Sequence, residues 1–405
     1  MPPDVDPINV GPRSRRHDRG AMTTTTPQPI VTPPGLAGVV VADTAVGDVR
    51  GDDGFFHYRQ YDALDLARHV TFEDVWHLMV RGTLPDAAQA RAWAAEVAAA
   101  AEPAEDVRRE LTEVLRRFGG GDDPLVSLRT ALSAYGALTG LRPLWDLDPE
   151  QRTADAVRVA AIVPWLVTAA HRLAQGEQPL APRPELGVVG SYLWLLSGEE
   201  PREEHVRAIS RYLCLTVDHG FNASTFTARV IASTGADLAA CVVGGIGALS
   251  GPLHGGAPSR ALDALDAIGT VDNAYPWALE QLRSGERVMG FGHAIYRGPD
   301  PRSELLRETV IELGGPTAEL AVAAEAEVVR ALAEHKPERV LRANVEYYAG
   351  VVMQSCGIPR SMFTPTFAVS RVVGWTAHVL EQAQQRKIIR PSSRYVGPPA
   401  PQPLP

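Results

Sequence analysis

Apolar residues recur every three or four positions along most of this 405-residue chain, the spacing of amphipathic helices. Thr71 is placed to cap a helix that carries Val75, Leu78 and Met79 on one face, and Pro85 ends it. Residues 86–118 continue in the same style with a break near Pro103, and Gly119-Gly120-Gly121 stops them. Residues 124–136 and 152–176 predict two more helices, and the Pro-rich stretch 178–184 a mobile loop. Val206, Ile209, Leu213 and Val217 keep helical spacing up to Asp218-His219. A turn at Gly220 then precedes Asn222-Ala223-Ser224-Thr225 and a helix running to Thr234. Residues 236–249 form a Gly/Ala-rich helix suited to tight packing. Strand character is confined to 39–61. There Val39-Val40-Val41, a turn near Gly51-Asp52-Asp53-Gly54, and Phe55-Phe56-His57-Tyr58 predict a small hairpin. From 257 to about 343 the helices are shorter and more charged, as in an inserted smaller domain. Thr364-Pro365 starts a last helix with Pro at its first position. Phe367, Trp375, Val379 and Leu380 follow, with Arg386-Lys387 suited to its final turn. The pattern predicts an all-α protein with a minor N-terminal β-hairpin.

Composition narrows this further. Residues 1–34 are rich in Pro, Thr and Arg without hydrophobic period, and read as a disordered tail. Its basic run, 13–19, lacks the apolar core of a secretory signal and the amphipathic pattern of a transit peptide. Both Met1 and Met22 can serve as the start, and Met22 is the expected one. A net charge of −9 argues against nucleic acid or an anionic membrane as main partner. Cys214, Cys241 and Cys356 sit inside apolar helical patterns, without metal-ligand spacing, and read as buried thiols of a reducing, cytoplasmic compartment. No uninterrupted apolar run reaches membrane-spanning length.

The candidate chemistry lies in two glycine-rich stretches. Gly251-Pro252-Leu253-His254-Gly255-Gly256-Ala257 sets one histidine among glycines. Gly290-Phe291-Gly292-His293-Ala294-Ile295-Tyr296-Arg297-Gly298-Pro299-Asp300-Pro301-Arg302 sets a second, with two arginines in the same loop. Glycine lets the backbone bend and lets a ligand approach the main chain. Histidine exchanges protons near neutral pH, and arginine forks match carboxylate or phosphate. Two histidines beside an anion clamp point to proton movement on a carboxylated substrate. Read singly, the same residues are plainer. His254 is then a loop residue satisfied by backbone, and His293 caps a turn. Glu346 becomes a first-turn acid behind the Asn344 cap, and Arg297 a solvated loop residue.

Taken together, these motifs resemble the two histidine motifs of the citrate synthase family. Asn344-Val345-Glu346 resembles the family's Asn-Val-Asp. Ser370-Arg371-Val372-Val373-Gly374-Trp375-Thr376-Ala377-His378 and Ile389-Arg390-Pro391 with Arg394-Tyr395-Val396-Gly397 extend the likeness in order, from about Gly35 to Gly397. The resemblance implies a large helical domain (35–256 and 350–390), a small one (257–349) and a cleft between them. Tails at 1–34 and 391–405 and a homodimer with shared sites complete the picture. It implies that Glu346 removes a methyl proton from acetyl-CoA, that His254 holds the enolate, and that His293 polarises the ketone of oxaloacetate. His219, Arg302 and Arg371 are implied ligands of the dicarboxylate, with Arg390 reaching in from the other subunit and Arg297 contacting CoA. No metal or other cofactor is implied beyond the CoA thioester. Glu346 stands where the family usually has aspartate, which leaves two further expectations open: 2-methylcitrate synthesis from propionyl-CoA, or a catalytically weak paralogue that binds CoA or citrate.

Overall fold

The computed structural model describes residues 30–118, 123–251, 254–255, 257–293, 295–296, 298–338 and 340–404. They fall into two compact units, one of 30–43 with 390–404, the other of 44–389. The first has little regular structure beyond a 3₁₀ turn at Pro34–Leu36, where proline supplies the fixed φ of a helix start. The proposed tail residues 1–29 lie outside the described residues.

The second unit is helical, as the periodicity requires. Its axis is the 26-residue helix Pro149–Ala174. Asp148 and Gln151 close a reciprocal capping box at its start, with Pro149 in the first position, so the orphan N–H groups there are satisfied. Among the described residues it is the one helix long and apolar enough to cross a membrane, and 83% of its apolar window is buried inside the fold. It is a core helix, and Phe363–Gln385, also buried over most of its length, packs along it. Pro365 lies two residues inside that last helix rather than at its first position, because a 3₁₀ turn at Arg360–Met362 leads directly into Phe363. Thr71 and Asp74 form the expected capping box of Phe72–Arg81.

The hairpin differs in one respect. Its first strand is Gly47–Arg50, paired antiparallel with Phe55–Tyr58 so that Gly47 faces Tyr58 and Arg50 faces Phe55. A two-residue strand, Tyr61–Asp62, adds a third. Val39-Val40-Val41 is not a strand and Val40 is exposed: Gly47–Arg50 abuts the 51–54 turn, and the register of a hairpin is set from its turn outward. Alternation on the second strand buries Phe56 and Tyr58, and the Tyr58 hydroxyl donates to the Cys214 carbonyl at 2.9 Å. The three cysteines are free and buried.

Two close approaches set the positions of the functional loops. Gly374, in the last helix, lies so near the end of Glu203–Thr216 that a Cβ there would stand 2.1 Å from the Val217 carbonyl oxygen. Gly290 and Gly292 have φ of +85° and +86°, a region open chiefly to glycine. This bend lets the 290–293 backbone bond to 342–344: Gly292 N–H donates to Arg342 O at 2.8 Å and Asn344 N–H to Gly290 O at 2.9 Å. The second histidine loop and the start of helix Val345–Ser355 are thereby joined.

Candidate active site

His293 is held by its own loop. Its Nδ1 accepts from the backbone N–H of Ile295 at 2.9 Å and of Tyr296 at 3.1 Å. Two donors on Nδ1 assign the proton of the neutral ring to Nε2. Burial, then the nearby Arg302 charge, push the ring's pKa down, so neutrality is favoured. Arg302 Nη2 lies 3.1 Å from His293 Nε2. Guanidinium has only donors, so two donors converge with no acceptor between them. That is a seat for a ligand oxygen.

Arg302 is buried, and its fork grips Asp300 through Nε at 3.0 Å and Nη2 at 2.9 Å. Asp300 caps helix Pro301–Leu313 and also accepts from Val345 N–H at 3.0 Å. Burial by itself would raise the carboxyl, but Arg302 outweighs it and holds Asp300 below the usual range. One carboxylate therefore fixes the arginine, a helix start and the Asn-Val-Glu segment. Asn344 completes the joint by donating to Gly292 O at 2.9 Å and capping Glu346 N–H at 3.0 Å.

Arg371 is the second buried guanidinium, on the apolar helix Phe363–Gln385. Its Nε donates to Thr216 O at 2.8 Å, and it stacks over Phe367 at 4.6 Å. Thr216 ends its helix, so the cation meets the negative end of a helix dipole. Among the described residues it forms no salt bridge. Burial lowers its pKa, opposed by the Asp218 charge. A buried cation this incompletely compensated is costly without an anionic ligand.

His219 lies within electrostatic reach of both arginines. Its Nε2 lies 2.9 Å from the Tyr296 hydroxyl, and its ring meets that of His293 at 5.9 Å and Phe56 at 5.7 Å. Burial, then Arg302 and Arg371, depress its pKa well below the ordinary value. His254 follows the same rule: burial, then Arg371, lower it to about 4. Its Nε2 lies 2.9 Å from Ser224 Oγ, which also receives the Trp375 indole N–H at 3.1 Å. Ser224 Oγ lies 2.8 Å from Asn222 Oδ1 as well. Since Trp375 can only donate, the single Ser224 proton goes either to Asn222 or to His254. In the second arrangement His254 Nδ1 carries its ring proton outward.

Glu346 sits in the first turn of Val345–Ser355, half-buried. Burial raises its pKa, with Arg302 pulling the other way. Such a carboxylate is a stronger base than one in water. Gly292, His293, Ile295, Tyr296, Gly298, Asp300 and residues 340–344 wall a cleft of about 470 Å³.

The structure thus brings His219, His254, His293, Arg302, Arg371 and Glu346 into one electrostatic neighbourhood. Arg390 is exposed and begins the segment 390–404 of the other unit. Arg297 lies outside the described residues. Ser224, Tyr296, Asp300 and Trp375 were not singled out in the sequence. Ser224 had a signal, two places past an Asn cap in the turn after Asp218-His219. Asp300 also had one, as an acid one place before a Pro-initiated helix.

Comparison with known proteins agrees with this geometry. A family model described as citrate synthase, C-terminal domain, matches residues 35–392. Citrate synthase 2 of Bacillus subtilis is 36% identical over 90% of this chain and 95% of its own length. A 2-methylcitrate synthase of Shewanella oneidensis is 35% identical over 91% and 95%. The solved ternary complex of citrate synthase from Thermoplasma acidophilum with carboxymethyl coenzyme A and oxaloacetate superposes with a TM-score of 0.81, at 26% identity, over 91% of this chain and 97% of that one. The chain belongs to the citrate synthase family and is an acyltransferase of that type.

The lowered pKa of His254 has a direct consequence. The neutral ring is the favoured form at pH 7, and the imidazolium forms only as pH falls to about 4. ¹⁵N-histidine NMR, with His254→Gln to assign the signal, checks this; a midpoint near 6.5 would show a solvated ring.

Proposed function

We propose that this chain condenses acetyl-CoA with oxaloacetate and water to give citrate and CoA. The observation that carries the reading is Arg371, a buried guanidinium without a salt bridge among the described residues, close enough to Arg302, His219 and His254 for their charges to interact, with all three histidines of the site depressed in pKa. Two carboxylates would complete the charge balance. In this reading Arg302, Arg371 and His219 bind oxaloacetate, with its ketone oxygen between Arg302 Nη2 and His293 Nε2. Glu346 takes a methyl proton from acetyl-CoA, while His254 Nδ1–H stabilises the thioester oxygen as it becomes an enolate. The enolate carbon bonds to the ketone carbon, whose π electrons move to oxygen, and that oxygen takes the Nε2 proton of His293. The Ile295 and Tyr296 N–H groups on Nδ1, with Arg302 alongside, stabilise the charge left on the ring. Water then adds to the citryl thioester, the C–S bond breaks, CoA leaves with a proton from that water, and the proton held by Glu346 returns to His293 through solvent. The reading calls for no cofactor beyond the CoA thioester, with Arg297 on its phosphates.

The small domain, 257–349, would close over the cleft and exclude water until condensation is complete. A homodimer is part of the proposal. On helix Leu238–Leu249 the half-buried Ala240, Val243 and Gly247 lie at helical spacing, with open space where a Cβ at Gly247 would stand, which supports close approach of a second copy. Arg390 would then enter the partner's site. The free buried thiols fit a cytoplasmic enzyme.

CoA release assayed with acetyl-CoA and propionyl-CoA, each with and without oxaloacetate, tests the reaction. Oxaloacetate-dependent release favouring acetyl-CoA is expected. Preference for propionyl-CoA would make the chain a 2-methylcitrate synthase, as the Shewanella relative is named, since one methylene in an apolar pocket is worth only about 1–3 kcal/mol. No release with either would leave a binding paralogue.

Glu346→Gln keeps shape but removes the base, and kcat should fall by about 10²–10⁴ with oxaloacetate affinity little changed. In the native enzyme the raised pKa of Glu346 places the acid limb of kcat above the ordinary glutamate value, because activity needs the deprotonated form. A limb at or below that value, or a fully active Glu346→Gln, would remove Glu346 from the mechanism.

Shared sites predict complementation. An inactive Arg390→Ala protein mixed with an inactive His293→Ala protein should regain activity, because one hybrid site carries neither change. Well-exchanged mixed dimers that stay inactive would refute the sharing.

A further inference from the structure

Behind His219 lies a buried polar chain that the proposed mechanism does not use. Asp218, His378 and Arg229 are all almost wholly buried, each at 1% exposure or less. His378 Nδ1 lies 3.0 Å from Arg229 Nη1, and His378 Nε2 lies 3.2 Å from Asp218 Oδ1. Guanidinium can only donate, so Nδ1 is the acceptor and the ring's proton is on Nε2, aimed at Asp218. The other Asp218 oxygen accepts from Gly220 N–H at 3.1 Å, which closes a turn around His219. Arg229 is anchored in turn by Glu381 at 2.6 Å and Gln382 at 3.1 Å. The Phe221 ring lies 5.4 Å from that of His378 and 4.8 Å from the Arg229 guanidinium. Glu381 also accepts from Ala45 N–H at 2.7 Å, next to the hairpin that carries Phe56.

Asp218, His378 and Arg229 therefore bear on the 218–221 turn, through hydrogen bonds and the Phe221 ring, while Glu381 and Gln382 hold Arg229. Burying these polar groups is costly, and Arg229 Nη2 has no hydrogen-bond partner among the described residues. We propose that His378 and Arg229 are positioning residues for substrate recognition: Arg229 fixes the tautomer of His378, His378 Nε2–H fixes Asp218, and Asp218 fixes the turn that presents His219 to the dicarboxylate. Asp218 also lies near enough to bias Arg371 electrostatically, so the same chain tunes the second ligand of the substrate. The inference rests on the oxaloacetate reading of this pocket.

Two substitutions separate the atoms. A glutamine amide nitrogen can stand near the position of His Nε2, whereas asparagine is too short to reach Asp218. His378→Asn should raise the KM for oxaloacetate by about 10- to 100-fold, the scale of a roughly 1 Å misplacement, with the KM for acetyl-CoA within about twofold of native. His378→Gln should recover most of the loss. Native-like oxaloacetate KM in His378→Asn, or equal damage in both variants, would overturn the inference. A native enzyme that shows no oxaloacetate-dependent CoA release would instead overturn the functional reading. Neutron diffraction from native crystals tests the tautomer without any substitution: a deuteron on His378 Nε2 and none on Nδ1 is expected, and the reverse refutes the chain.

Discussion

The site depends on burying two guanidinium groups in a helical interior and compensating them unequally. Arg302 is gripped at both ends of its fork by Asp300. Arg371 has a helix-end carbonyl, an aromatic face and a carboxylate at a distance. Removing ions from water is expensive, and compensation must be close and well directed to offset it. The shortfall at Arg371 leaves a standing positive potential around it. The depressed histidines follow first from burial and then from these charges, Arg302 at His293, Arg371 at His254 and both at His219: each ring would add a further charge beside an existing one. Neutral imidazoles with defined N–H directions are what an oxyanion needs as donors, so the charges that attract a dianion also keep its neighbours in donor form.

Holding such groups still is work for the backbone. The site draws on loops before Asn222, after Leu249, between Val288 and Asp300, and before Val345, all remote in sequence. The last two are joined by reciprocal backbone bonds that only positive φ at Gly290 and Gly292 allows. Asp300 then binds an arginine and two helix starts at once. A shift of any one element would be felt at His293, Arg302 and Glu346 together. That coupling suits a reaction in which proton removal and enolate stabilisation must coincide.

Much was legible in the sequence for local reasons. Helices at Phe72–Arg81, Ala223–Ala232 and Val345–Ser355 announce themselves by Thr71, Asn222 and Asn344, because a cap and its helix are neighbours in the chain. Gly-rich stretches around single histidines mark where a backbone bends against a ligand. The strand at Gly47–Arg50 was less visible, since Val39-Val40-Val41 has the stronger strand composition and pairing depends on distance from the turn, a property of two segments and not of one.

The residue types of the site and the helical class of the fold were determined by the sequence alone: capping, periodicity and the order of motifs are carried by near neighbours. Protonation and direction were decided by tertiary structure. Whether Arg302 meets Asp300, whether Ser224 meets both His254 and Trp375, and whether His378 carries its proton on Nε2 depend on partners up to 160 positions apart. Desolvation acts on the same footing, because burial is a property of the packed whole. A sequence names the acids and bases; only their packing sets which of them are charged and where each donor points.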